Sequence, residues 1–316
     1  MVSRPAKISA AMGSNVPTLD EEKKSISTPK LVYGSDDSLF GCVESNQRAT
    51  GRPFGDLLDA GTGTHSLRWI ASLLHSQTNP SDDLHVSKFT AITADESMKR
   101  NVLAEAEQLG IVDRGEVVIG NWASEEKEEG QGLCVGETYD TILADYLIGA
   151  IDGFSPYFQD RIFPRLASHL RPGGCLYVVG LNPIPDSIGG DADVFCRVTK
   201  LRDACILLAG HRCYREFPVD WIQRHLELAG LEVKDTSRFP IKYSHGTIVR
   251  QLNVARSKLP LFPSKGLAEE MRKQIDELEK ESLAATERSP TGRLTIGFDY
   301  VVTAEMPLVV GEEKEQ

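Results

Sequence analysis

Three observations predict an α/β fold with a mostly parallel sheet. Five short apolar segments, residues 55–60, 89–94, 116–120, 139–146 and 175–180, alternate with stretches whose apolar residues recur at helical spacing. Such an alternation calls for parallel strands with both faces covered by crossing helices. Residues 294–303 then alternate Leu294, Ile296, Phe298, Tyr300 and Val302 with Thr295, Asp299 and Thr303, the pattern of a half-buried last strand.

The elements follow in order. Residues 1–30 are rich in Ser, Lys and small residues without an apolar core segment, which reads as disordered chain without a secretion signal. Residues 35–48 are expected to form a helix with Leu39 and Val43 inward, and Tyr33 just before it is either core or a ligand contact. The first strand centres on Leu57 and Leu58, and Asp59-Ala60-Gly61-Thr62-Gly63-Thr64-His65 breaks it before a helix running to Leu74. A polar loop over 75–86 leads to the second strand, which ends on Asp95 and Glu96; the following helix, 98–109, stops at Gly110. Asn121 and Trp122 follow the third strand, and residues 125–130 form a charged, solvated loop. Asp145 ends the fourth strand. The spacing of Phe158, Ile162, Leu166 and Leu170 predicts a helix over 157–170, closed by Arg171-Pro172-Gly173-Gly174. Further helices are expected over 193–209, 221–228, 247–258 and 267–283, with a sixth strand over 231–235. The reading is one domain over 31–310, with helical insertions at about 185–228 and 247–286 and an acidic tail over 311–316.

Composition narrows the function. With 316 residues, 41% hydrophobic and 26% charged, the chain has the make-up of a globular protein, and no apolar run is long enough to span a bilayer. A formal net charge of −11 speaks against a nucleic-acid partner or an anionic membrane surface, since both demand a basic footprint. The six cysteines form no C-x-x-C pair and have no companion histidines, so no metal is expected and a reduced, cytoplasmic setting fits. The oligomeric state is not legible.

The candidate site lies where strands end. Gly61, Asp95, Asn121 and Asp145 all fall at or just past the C-terminal ends of expected parallel strands, where open α/β sheets bind ligands. Glycine at the first turn allows close backbone approach, and the helix start offers free N–H donors. Beyond the fifth strand, Gly210-His211-Arg212-Cys213-Tyr214-Arg215-Glu216 is dense in imidazole, guanidinium and phenol. Its reading is open between a solvated loop and a subsite in which His211, Arg212, Tyr214 and Arg215 hold a carboxylate or phosphate. Tyr157 is a further candidate substrate contact, Asp152 stays open between a site role and a surface role, and His245 is read as structural.

Taken together, the stretch from about Leu57 to Val179 resembles the class I S-adenosylmethionine-dependent methyltransferases, with a similar tail to about Met306. The resemblance is carried by Asp59-Ala60-Gly61-Thr62-Gly63, the acid after the second strand, Asn121-Trp122, Asp145 and the 170–174 turn. It implies a Rossmann-like sheet with an antiparallel last strand and S-adenosylmethionine as cofactor. It also implies cofactor contacts from Asp59, Gly61, Thr62, Gly63, His65, Asp95 or Glu96, Asn121, Trp122 and Asp145. The family's third glycine is His65 here, a departure at the place where the methionine carboxylate is held. Asp145 and Tyr146 would lie near the transferred methyl as candidate catalytic groups, with a small-molecule acceptor favoured by elimination. Two alternatives stay open: an NAD-type oxidoreductase, whose fingerprint fits poorly because Ser66 stands at the third glycine and the acid lies too far on, and a non-catalytic scaffold.

Overall fold

The computed structural model describes residues 37–76, 84–124 and 133–308. The expectations for residues 1–30, for Tyr33, for the charged loop 125–130 and for the tail 311–316 lie outside the described residues.

Helix α1 (Ser38–Thr50) opens on Asp37, whose Oδ1 accepts from the N–H groups of Leu39 (3.1 Å) and Phe40 (3.3 Å), and closes on Gly51 in the left-handed conformation. Strand β1 (Gly55–Asp59) and helix α2 (Thr64–Ser76) flank the glycine turn. Strand β2 (Val86–Thr93), helix α3 (Glu96–Leu109) and strand β3 (Gly115–Ile119) follow. Strand β4 (Tyr139–Asp145) is succeeded by helices α4 (Leu147–Phe154) and α5 (Ile162–Ser168), then strand β5 (Leu170–Leu181). The rest comprises helix α6 (Asp193–Leu208), helix α7 (Val219–Leu228), strand β6 (Glu232–Ser244), helices α8 (His245–Lys258) and α9 (Lys265–Arg288) and strand β7 (Arg293–Glu305).

The strands form one seven-stranded sheet in the order β3-β2-β1-β4-β5-β7-β6. Pairs β1–β2, β1–β4, β2–β3 and β4–β5 are parallel, and β7 runs antiparallel to β5 with Val178 opposite Val302. This is the expected Rossmann-like arrangement with its antiparallel last strand. Chain direction across the sheet reverses between β1 and β4, the switch point beyond whose strand ends open α/β sheets place their ligands. Side-chain alternation along each strand divides the core. Leu58, Ile142 and Val178 face one apolar cluster with α4, α5 and α7, while Leu57, Leu143 and Tyr177 face the other with α1, α2 and α3.

The described chain divides into two compact units. The larger comprises residues 37–183, 214–241 and 297–308, and holds β1 to β5 with the greater part of β6 and β7. The smaller comprises 184–213 and 242–296, where α6, α8 and α9 pack on one another through Phe195, Ile248, Leu252 and Ile275.

Three expectations on element bounds are corrected. The helix predicted over 157–170 is only α5, because Tyr157 sits at φ +67 and residues before Ile162 form turns. Arg171-Pro172-Gly173-Gly174 is not a helix-ending turn but the irregular start of β5, where Gly173 takes φ +78 and the register to β4 shifts between Tyr139 and Thr141. The sixth strand extends from 232 to 244 instead of ending at 235. Helix α4, with two glycines in eight residues, is an addition to the expected elements.

Candidate functional site

The site is built on the C-terminal ends of β1, β2, β3 and β4. Leu57 and Leu58 bury β1 on both faces, which carries Asp59 into the interior, fully buried. The Gly61 N–H donates to its Oδ1 at 3.5 Å, and its Oδ2 has no hydrogen-bond partner among the described residues. Burial pushes the Asp59 carboxyl up to about 6, against the opposing pull of the Ser66 and Thr62 hydroxyls and the Gly61 N–H.

The two glycines of the turn differ in cause. A Cβ on Gly61 would lie 2.8 Å from Leu147 Cδ1, so α4 packs directly on the turn there. A Cβ on Gly63 would meet nothing within 4 Å, so packing does not explain that glycine and the backbone borders open space. The Thr62 N–H donates to Ile92 O (2.7 Å) and ties the turn to β2. His65, in the first turn of α2, places Nε2 2.8 Å from Asp37 Oδ2. That hydrogen bond holds the imidazole pKa above its ordinary value.

Asp145 ends β4. Burial, then the like charge of Asp59, pushes its carboxyl up to about 7. Tyr146 takes φ +48, a left-handed conformation that a bulky side chain adopts only under constraint, and its N–H donates to Val179 O (3.0 Å). Its phenol is hydrogen bonded to Asp299, and burial raises its pKa far above the usual phenol range. Asp299 itself is pushed up to about 6, again chiefly by burial. It reaches this edge because β7 is antiparallel, which sets Asp299 opposite Leu181 at the end of β5. The sequence pattern marks Asp299 only as a polar residue of an alternating strand; its one advance signal is that an antiparallel seventh strand must begin near the site.

Asp95 is the N-cap of α3, with Oδ1 accepting from the Met98 N–H (2.7 Å). Glu96 is the exposed first residue of that helix. Asn121 follows β3; its Oδ1 accepts from the Ala123 N–H (3.0 Å) and the Ser155 hydroxyl (2.9 Å). Trp122 is buried, its indole N–H donating to Ala60 O at 2.7 Å, so it braces the turn after β1 from below.

The 211–216 stretch separates. His211 and Arg212 belong to the smaller unit, and residues 214–216 to the larger. The Tyr214 ring lies against Gly153 of α4, and burial and the charge of Asp95 raise its pKa, which brings it to the strand-end region. Glu216 reaches the start of α4, where a Cβ on Gly149 would meet its Oε2 at 2.5 Å. The Arg215 side chain is exposed while its N–H donates to Gly149 O (3.3 Å), and Arg212 is exposed. Tyr157 is 76% exposed in the turn before α5. Of the two readings of Asp152, the surface one does not hold: the residue is buried and accepts from Gln159 Nε2 (3.1 Å). His245 Nδ1 lies 3.0 Å from Ser282 Oγ within the smaller unit. Among the described residues there is no cluster of three metal-ligating side chains, and no helix is long and apolar enough to cross a membrane.

Chemically, the edge offers one fully buried and one half-buried carboxyl, both under-compensated, beside a glycine turn, with an imidazole clasped by Asp37 and a phenol–carboxylate pair. Such a set can receive a cation and move a proton.

No protein-family model and no curated protein matches the sequence. Among solved structures, the YcgJ protein from Bacillus subtilis is similar over 85% of this chain and 99% of its own, at 14% identity and a TM-score of 0.51. The Bacillus halodurans C-125 protein BH2331 covers 84% of this chain and 100% of its own (15% identity, TM-score 0.49). A SAM-dependent methyltransferase from Geobacter sulfurreducens, in complex with S-adenosyl-L-homocysteine, covers 86% and 91% (15% identity, TM-score 0.44). At these identities the likeness is one of fold.

Proposed function

We propose that this chain is an S-adenosylmethionine-dependent methyltransferase acting on a small-molecule acceptor. The observation that carries the reading is the fully buried Asp59 carboxylate, one oxygen unpartnered, beside Asp145 where the sheet changes direction. A ligand bearing an ammonium and a sulfonium supplies the compensating positive charge that these carboxyls lack. The open face of Gly63 admits its methionine part, Asp95 takes the ribose hydroxyls through the oxygen not used in capping α3, and Asn121 borders the adenine. Trp122 acts from beneath by fixing Ala60. When bound, the cofactor supplies a methyl group activated for in-line displacement.

The chain's own contribution is then to orient the acceptor and receive its proton. Tyr146 and Asp299 fit that role. The phenol takes the acceptor proton as its own passes to Asp299, which is ionised at neutral pH. Asp145 serves the cofactor side of the same turn. Arg215 supports an acceptor with a carboxylate or phosphate, since its side chain is exposed on a loop held to α4. Six free cysteines support a reducing, cytoplasmic setting.

Calorimetric titration of the folded protein with S-adenosylhomocysteine, and separately with NAD, tests the reading. Binding of the first and not the second is expected. NAD binding would favour the oxidoreductase, and binding of neither would leave a scaffold.

A further inference from the structure

His65 occupies a position where a bare backbone would give a ligand more room, so its side chain asks for a reason. Stability is a poor one. The imidazole is 54% exposed and its partner is a single carboxylate, and ion pairs of that kind contribute little. The pair does something else. Asp37 is itself immobilised, because its other oxygen caps α1, and it therefore fixes both the orientation and the charge of the ring. Phe40 of the same helix sits 5.0 Å from the ring centroid and restricts it further.

The charges facing this imidazole are few. They are Asp37 from α1, Asp145 from β4 and Arg68 from its own helix. Arg68 is engaged elsewhere, with Nε 2.6 Å from Glu105 Oε1. His65 Nδ1 has no hydrogen-bond partner among the described residues. The glycine turn is thus bounded along the chain by the unpartnered oxygen of Asp59, at the end of β1, and by a cation with a spare donor in the first turn of α2. An α-amino acid carries this charge pattern in complement: a carboxylate and an ammonium on one carbon.

We propose that His65 recognises the α-carboxylate of the cofactor's amino-acid end, with Asp37 as its positioning residue and Asp59 facing the ammonium. The proposal rests on the methyltransferase reading and goes beyond it, because it assigns to a side chain what the resembling family leaves to a glycine.

The test compares two ligands that share adenosine and a thioether sulfur. S-adenosylhomocysteine carries the α-amino acid; methylthioadenosine does not. Asp59 and Asp145 titrate in the same range and favour an ammonium as they ionise, so the His65 share is read as the ratio of wild-type to H65Q affinity. That ratio for S-adenosylhomocysteine should fall as pH rises through the imidazole titration, while methylthioadenosine affinity stays level. H65Q should weaken S-adenosylhomocysteine roughly tenfold, as expected on loss of one charge-assisted hydrogen bond. It should leave only the rise in affinity with pH that the carboxyls give an ammonium, and leave methylthioadenosine unchanged. H65R, which keeps the charge, should recover part of the loss, and D37N should lose affinity for S-adenosylhomocysteine alone. Equal weakening of both ligands, or no weakening of either, overturns the assignment to His65. Failure of the wild-type protein to bind S-adenosylhomocysteine at all overturns the methyltransferase reading and this inference with it.

Discussion

The two edges of the sheet in the larger unit are built from the same residue types and treat them oppositely. At the edge where the parallel strands begin, Asp56, Asp140 and Glu305 each have a guanidinium. Arg171 spans Asp56 (2.7 Å) and Asp140 (2.6 Å), the Asp56 N–H also donates to Asp140 Oδ2 (2.9 Å), and Arg52 meets Glu305 at 2.8 Å. At the edge where those strands end, Asp59, Asp145 and Asp299 are all pushed upward by burial, and no arginine or lysine lies among the causes of their shifts. Paired charges at one edge hold strand ends together. Under-compensated charges at the other raise the energy of the free protein and make it receptive to a cation.

That contrast can be broken from either side. Asp95→Ala should have the largest effect, weakening S-adenosylhomocysteine by about 1.5–3 kcal/mol, the range for a hydrogen bond to a charged group. It should also cost about 1 kcal/mol of stability through the lost cap on α3. Asp95→Asn keeps a capping side chain, so calorimetry on the pair separates binding from folding. Arg171→Leu strikes the opposite edge. It should destabilise by about 1–2 kcal/mol, discounted because the guanidinium is partly exposed, and leave ligand affinity unchanged. Denaturant melts and the same titration check both halves.

Asp145→Asn should act in the reverse sense, and more weakly. A carboxyl whose folded pKa lies near 7 retains its proton in the native state while the unfolded chain has already lost it. Stability contributed by such a group is present at low pH and lost as pH rises from about 4 to about 7. The amide cannot ionise beside Asp59. At pH 8 the variant should therefore be more stable than wild type by about 1 kcal/mol, well under the roughly 4 kcal/mol of the full shift because the side chain is only half-buried and screened by solvent, with the advantage gone at pH 4. Thermal melts across that range decide it.

How much of this was legible depended on whether a feature is local. The strand segments β1 to β5 were readable because buried parallel strands are short apolar runs closed by polar or glycine residues: Asp59 and Asp145 end two of them, and Asp95 caps the helix after a third. The pairs that give the site its character were not readable. Asp37 meets His65, and Tyr146 meets Asp299, only because α1 is capped where it is and β7 arrives in one particular antiparallel register. Closeness in sequence misled as well. Residues 211–216 look like a single cluster, yet the chain there is irregular and its members part company: Tyr214 covers Gly153, Glu216 turns to Gly149, and His211 and Arg212 belong to the other unit. Pro172 suggested a turn, whereas a strand start with shifted register accommodates it.

The most direct test of the central claim, that the strand-end carboxyls stay under-compensated until ligand arrives, is the proton balance of binding. S-adenosylhomocysteine would be titrated at pH 6 in buffers of different ionisation enthalpy. At that pH Asp145 is largely protonated and Asp59 partly so, while His65, its pKa held above the ordinary value by Asp37, is already mostly charged. An arriving ammonium lowers the carboxyl pKa values, so binding should release protons, on the order of one per site, and Asp145→Asn should reduce the release. Binding with no proton exchange, or with net uptake, would contradict the account.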